Sequence, residues 1–219
     1  MQCSKCRNEG IIFQPYSGQS LCRDHFIVDF EAKAKRAIRV NRWMQAQDSV
    51  GIAMSGDTAD HALLFFFRKL TAHRKDIRVS EVPAGEISGM MSAACNAGVT
   101  KIALSTPLEE AAASALTTIL QGHAECFFAT GGENEEGLPL ITPFCHIPAG
   151  EIALYARVHD LDGDGTTSSR ANTPLYSEVK TMLADYSFRH PAAPHAVLNL
   201  CESVKKIGLV PEGGETRGA

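Results

Sequence analysis

Cys3-Ser4-Lys5-Cys6 is followed, after fifteen residues, by Cys22-Arg23-Asp24-His25. Two residues between the members of each pair let one tight turn aim both side chains at a single ion. Three thiolates and an imidazole complete a tetrahedral shell that suits Zn²⁺. Four protein ligands, Cys3, Cys6, Cys22 and His25, leave no coordination position open, so the site is expected to be structural and needed for its segment to fold. The bland alternative is a set of buried cysteines beside an unrelated histidine. It would have to bring four ligands into 23 residues by coincidence.

Other chemistry-bearing patterns are weaker. Asp160-Leu161-Asp162-Gly163-Asp164-Gly165 copies the first six positions of an EF-hand loop, but the twelfth is Ala171 instead of a bidentate Glu, so the segment reads as a turn. His61, His73, His123, His146, His159, His190 and His195 have no paired ligand spacing and are assigned single surface or hydrogen-bonded roles. Neither a Gly-x-Ser-x-Gly elbow nor an intact Walker-type phosphate loop is present.

The elements that must hold these residues follow from periodicity. Phe26, Phe30, Ala34, Ala37 and Ile38 recur at helical spacing within 26–47, with Lys33, Lys35, Arg36, Arg39 and Arg42 filling the other face. Strand patterns at 49–54, 77–82 and 99–104 alternate with helix patterns at 59–70, 86–97 and 107–120. Such alternation implies parallel pairing, hence a doubly wound α/β sheet. Beyond Gly131 the pattern is mainly helical, at 149–159, 174–186 and 194–206. The expected organisation is a zinc knuckle at 1–26, a basic linker helix at 27–47, an α/β domain at 48–160, a helical C-terminal part at 161–207 and a Gly-rich tail at 208–219.

Composition excludes several classes. With 219 residues, 44% hydrophobic and 21% charged, the chain can bury one main core plus a small appendage. The longest apolar run, Ala62 to Phe67, is far short of a membrane span, and no targeting segment precedes the metal ligands. Seven cysteines, with Cys95, Cys126, Cys145 and Cys201 scattered singly, suggest reduced thiols and a cytoplasmic protein. Residues 1–45 carry eight Lys/Arg against four acids, so +4 in a chain of net −4. A basic arm on an acidic body could hold a polyanion, although a solvated helix face explains the charges equally well.

Cys22-Arg23-Asp24-His25-Phe26 and the basic helix after it, Ile52-Ala53-Met54-Ser55-Gly56, Lys101-Ile102-Ala103, Leu108-Glu109-Glu110, and Pro143 to Pro148 with Glu151 to Ala156 stand in a familiar order. Over residues 1–206 the chain resembles the PP-loop ATP pyrophosphatases that thiolate tRNA, in particular the 2-thiouridine and 2-thiocytidine group. The resemblance implies an adenine-nucleotide α-hydrolase-like fold and enzymes that adenylate a tRNA base carbonyl and replace its oxygen by sulfur. In those enzymes a Ser-Gly-Gly-x-Asp-Ser turn offers backbone N–H groups and hydroxyls to phosphate. Here the turn reads Ser55-Gly56-Asp57-Thr58-Ala59-Asp60. Ser55, Gly56, Asp57, Thr58 and Asp60 are therefore degenerate nucleotide-binding positions, and ATP with Mg²⁺ is weakened as a ligand.

The element that reads Gly-His-Asn-Leu-Asp-Asp in the family is Ser105-Thr106-Pro107-Leu108-Glu109-Glu110, its two acids also explained by a helix first turn. The family's Cys-x-x-Cys is reduced to the single Cys95, read as a packed helix thiol. Thr173 stands at the place of a further cysteine. An iron–sulfur cluster is accordingly expected to be absent, and zinc to be the resident metal. The resulting expectation is a non-catalytic PP-loop relative that binds tRNA through Lys33, Lys35, Arg36, Arg39 and Arg42, as a homodimer or beside an active thiolase. An active ATP-dependent sulfurtransferase with an altered turn is the alternative, and a nucleotide-sensing protein a further one.

Overall fold

A computed structural model describes residues 1–85, 87–122, 138–161, 163 and 173–207. The chain opens with an antiparallel hairpin, β1 (Ile12–Gln14) and β2 (Gln19–Leu21), turned at Gly18 with φ 67°. Helix α1 (Arg23–Val40) follows directly, burying Phe26, Phe30, Ala34, Ala37 and Ile38 as the spacing requires.

The basic helix is shorter than its sequence pattern suggests. At Asn41 the side chain bonds back to the Ala37 carbonyl at 2.9 Å, Arg42 takes a left-handed φ of 53°, and Trp43 N–H reaches the Ile38 carbonyl at 3.0 Å. Burial of Trp43 then fixes the chain's exit, and residues 41–47 are turn and loop.

Four parallel strands form the main sheet in the order β4-β3-β5-β6: β3 (Ser49–Met54), β4 (Arg78–Pro83), β5 (Lys101–Ala103) and β6 (Leu140–Ile141). Between them run α2 (Thr58–Thr71), α3 (Ile87–Asn96) and α4 (Leu108–Leu120). Then come α5 (Ala149–Val158), α6 (Pro174–Arg189) and α7 (Ala193–Ile207). Parallel strands covered on both faces are the doubly wound arrangement expected. β6, only two residues long, carries too little pattern to be read from sequence.

Alternation along the strands divides the core. Val50, Ile52, Ala103 and Ile141 face one cluster with α1, α2 and α5, where Phe30, Phe66, Phe67, Phe144 and Tyr155 meet. Ala53, Val82, Ile102 and Leu104 face a second with Met90, Met91 and Ala94 of α3. A third joins Ala112 and Ala113 of α4 to Val179 and Leu183 of α6. Among the described residues no helix is long and apolar enough to cross a membrane.

Gly51, at the centre of β3, has no room for a side chain. A Cβ there would stand 2.6 Å from Val82 Cγ2 and 3.0 Å from Val99 Cγ1. Gly51→Ala is expected to cost about 1–3 kcal/mol through overpacking. Urea unfolding measures it, and a change within about 0.5 kcal/mol would contradict this account of the strand.

Candidate metal centre and phosphate turn

The hairpin and the start of α1 bring the four knuckle ligands together. Cys3, Cys6, Cys22 and His25 place one ligand atom each within 4.8 Å of one another. Cys6 Sγ lies 3.7 Å from Cys22 Sγ. His25 Nδ1 lies 3.3 Å from Cys22 Sγ and 3.6 Å from Cys3 Sγ. Cys22 sits at the junction of β2 with α1, so His25 projects from the helix's first turn. Burial works against a Cys3 thiolate, but backbone N–H groups of Cys22, Lys5 and Cys6 outweigh it and bring the thiol down to about 6.

A polar network beneath the knuckle ties it to the body. Gln14 donates to Asp29 at 3.0 Å and to the buried Glu151 at 3.1 Å. Tyr16 O–H donates to Glu151, while Lys33 Nζ lies 2.7 Å from Asp29, 3.1 Å from Glu151 and 2.5 Å from the Tyr16 oxygen. Burial and the neighbouring Glu151 carboxylate raise the Tyr16 phenol, keeping it a donor. Gln14, Tyr16, Asp29 and Glu151 had no assigned role from sequence. The signal available was Glu151 itself, an acid inside an otherwise apolar helix pattern.

This network changes the reading of the basic segment. Lys33 is held in ion pairs, and Lys35 pairs with Glu31 at 3.1 Å. Glu31 also meets Lys69 at 2.5 Å and accepts from Tyr155 O–H at 3.1 Å, so it fastens α1 to α2 and α5. Arg36, Arg39 and Arg42 are exposed without a carboxylate partner among the described residues, and Arg42 lies beyond the helix rather than on its face.

At the C-terminal end of β3 the turn 55–60 opens α2 with Gly56 at φ 95°. Asp57 occupies the N-cap and accepts from Ala59 N–H at 3.2 Å. Asp60 is 5% exposed. Its Oδ2 accepts from Ser55 N–H at 2.7 Å and Ser55 Oγ at 2.6 Å, and its Oδ1 accepts from Ser105 Oγ at 2.5 Å. Sequence reading set Asp60 beside Ser55 but did not foresee Ser105 arriving from the end of β5.

The remaining acids and thiols have structural partners. Glu109 accepts from Ala149 N–H at 3.0 Å, at the start of α5, and its burial raises its carboxyl. Glu110 pairs with Lys180 of α6 at 3.4 Å. Thr173 caps α6, its hydroxyl accepting from Tyr176 N–H at 3.3 Å. Cys95 is exposed rather than packed, because α3 turns that face outward. Burial pushes the Cys145 thiol up to about 12 and the Cys201 thiol up to about 11, which leaves both unreactive. His123, Cys126 and most of the calcium-like loop lie outside the described residues.

A cysteine-rich arm on a parallel α/β sheet, with a strand–turn–helix at the C-terminal end of its central strand, gives an adenine-nucleotide α-hydrolase-like fold with a candidate metal centre. Residues 2–27 match the family model described as the N-terminal LIM domain of the 2-thiouridine synthetase TtuA. The chain is 21% identical to the tRNA 2-thiolation protein NcsA of Haloferax volcanii, the match covering 99% of this chain and 91% of that one. It superposes with a TM-score of 0.76 on the U34-tRNA thiolase NcsA of Methanococcus maripaludis, at 15% identity, over 99% of this chain and 90% of the other. The chain is thus similar in sequence, over nearly its whole length, to a tRNA 2-thiolation protein, and shares its fold with a tRNA thiolase.

That solved structure carries a 4Fe–4S cluster, which corrects the expectation of zinc with no iron–sulfur cluster. The physical reason is ligand softness: thiolates take zinc and iron–sulfur centres alike, so Cys spacing did not discriminate between them.

Proposed function

We propose that this chain is a non-catalytic member of its family that binds tRNA, alone or beside an active thiolase, without itself handling ATP or sulfur. The observation that carries this reading is Asp57. It stands where the family has the second glycine of its phosphate turn, and it caps α2 with its own carboxylate. A polyphosphate approaching this turn would meet negative charge where it needs a bare N–H group.

The other lesions point the same way. Thr173 serves as a helix cap where the family has a cysteine, and Glu109 spends its carboxylate on the start of α5. The knuckle is retained in full, which supports an arm kept for binding. In the cytoplasm, where thiols stay reduced, its ligand set would hold a metal that orders the arm.

RNA contact falls to Arg36, Arg39 and Arg42. Affinity for tRNA is expected to need no ATP and to fall with salt. Replacing the three arginines by Ala should reduce the slope of log affinity against log salt by about 2 to 3. Filter binding across ionic strengths reads both quantities. No tRNA binding at low salt, or a slope unchanged in the triple variant, would remove the reading.

A further inference from the structure

We propose that the phosphate turn is closed by a built-in occupant, the Asp60 carboxylate, which takes up intramolecularly the donors that an anion would use. The inference rests on the non-catalytic reading and says what occupies the turn instead of nucleotide. Three donors converge on this one buried group: the Ser55 amide, the Ser55 hydroxyl, and the Ser105 hydroxyl brought in by a different strand. A carboxylate offers two oxygens with about four lone pairs, and here both oxygens are engaged. Charge-assisted bonds of this kind are what the turn would otherwise give a phosphate oxygen.

A second observation is independent of Asp60. Gly163 lies against the start of α2 so closely that a Cβ on it would fall 2.5 Å from Thr58 N and 2.6 Å from Thr58 Cα. Gly163 therefore lies against the N–H end of α2. Asp57 satisfies Ala59 N–H from a third side. Asp57 and Asp60 together engage the Ser55, Ala59 and Ser105 donors at this helix start, so the turn is occupied without any ligand.

Because Asp57 also opposes phosphate here, both Asp60 changes are made on an Asp57→Gly background and compared with that parent as well as the wild type; removing the occupant should then reopen the turn. Asp60→Ser restores a hydroxyl and deletes the charge, whereas Asp60→Asn keeps the shape and deletes only the charge. Inorganic pyrophosphate is titrated by calorimetry into the full-length, metal-loaded wild type, the Asp57→Gly parent and both variants, with thermal melts in parallel. The wild type should show no heat of binding and no pyrophosphate-dependent melting shift. Asp60→Ser should bind at least about tenfold more tightly than the parent and the wild type and melt higher with the ligand, with Asp60→Asn between it and the parent.

Should Asp60→Ser fail to fold, Asp60→Asn carries the test with the same expected direction. Binding in neither folded variant, or equal binding in the parent or the wild type, would overturn the inference. The two readings fail separately. Inert variants beside an inert wild type would defeat the occupant and leave the non-catalytic reading standing, whereas ATP turnover by the wild type would defeat that reading itself.

Discussion

Cys22→Ala should strip the arm of its metal and unfold it. Purified protein is expected to carry metal at Cys3, Cys6, Cys22 and His25, whose ligand atoms lie within 4.8 Å of one another. Iron, zinc and acid-labile sulfide are measured together, so the count does not presuppose the metal. In the variant the content should fall close to zero, since Cys3, Cys6 and His25 alone form an incomplete shell that binds metal too weakly to order the arm. The body should stay folded: Phe26 and Phe30 belong to the core shared with α2 and α5 and do not depend on the ion. Metal content unchanged in Cys22→Ala would contradict the site.

Glu151→Ala should destabilise the fold outside the knuckle. Glu151 is 3% exposed and receives Gln14, Tyr16 and Lys33. Removing it leaves Gln14, Tyr16 and Lys33 without their shared acceptor, although Lys33 keeps Asp29, at a cost of about 1–3 kcal/mol. Combining it with Lys33→Met should cost less than the sum of the two, because the Lys33–Glu151 pair is then removed as a unit.

The network also has a pH signature. Burial would raise the Asp29 carboxyl, but Lys33 and Gln14 outweigh it and hold it below the usual range. The folded pKa is thus the lower one. Its contribution is complete above the unfolded value of about 3.9 and disappears as pH falls through the folded value. The stability gap between wild type and Lys33→Met should be constant near neutrality and narrow in that acid range. Denaturant melts across pH measure it, and a gap that widened on acidification would contradict the pairing.

Those networks mark the limit of what sequence shows. The metal ligands were legible because four soft ligands in 23 residues carry their geometry in their spacing. The sheet was legible because its strands alternate with helices whose apolar residues recur every three or four positions. What was hidden depended on long-range placement. Gln14 meets Glu151 across 137 residues, and Ser105 reaches Asp60 across 45. No local pattern encodes such meetings. Lys33 shows the same limit from the other side: its sequence neighbours make it look like a solvated basic residue, whereas the fold turns it towards two carboxylates.

Asp57 and Asp60 illustrate a different limit. Their presence in the turn that opens α2 was evident from sequence, but not what they do. One became a helix cap and the other a buried acceptor for two serines, so both are integrated into the fold rather than left as unpaired charges. An acid that has acquired structural partners is harder to displace than one that merely repels, which is why the turn is expected to stay closed at any accessible nucleotide concentration.

The central claim is best tested on the wild-type protein, metal-loaded and supplied with ATP, Mg²⁺, a sulfide donor and tRNA, by measuring pyrophosphate release and thiolated nucleosides in the same reaction. The expected result is neither product above a control without protein. Sustained release of pyrophosphate and AMP together with a thiolated nucleoside detected by mass spectrometry would contradict it, and would mean that the turn opens and that the chain is an enzyme.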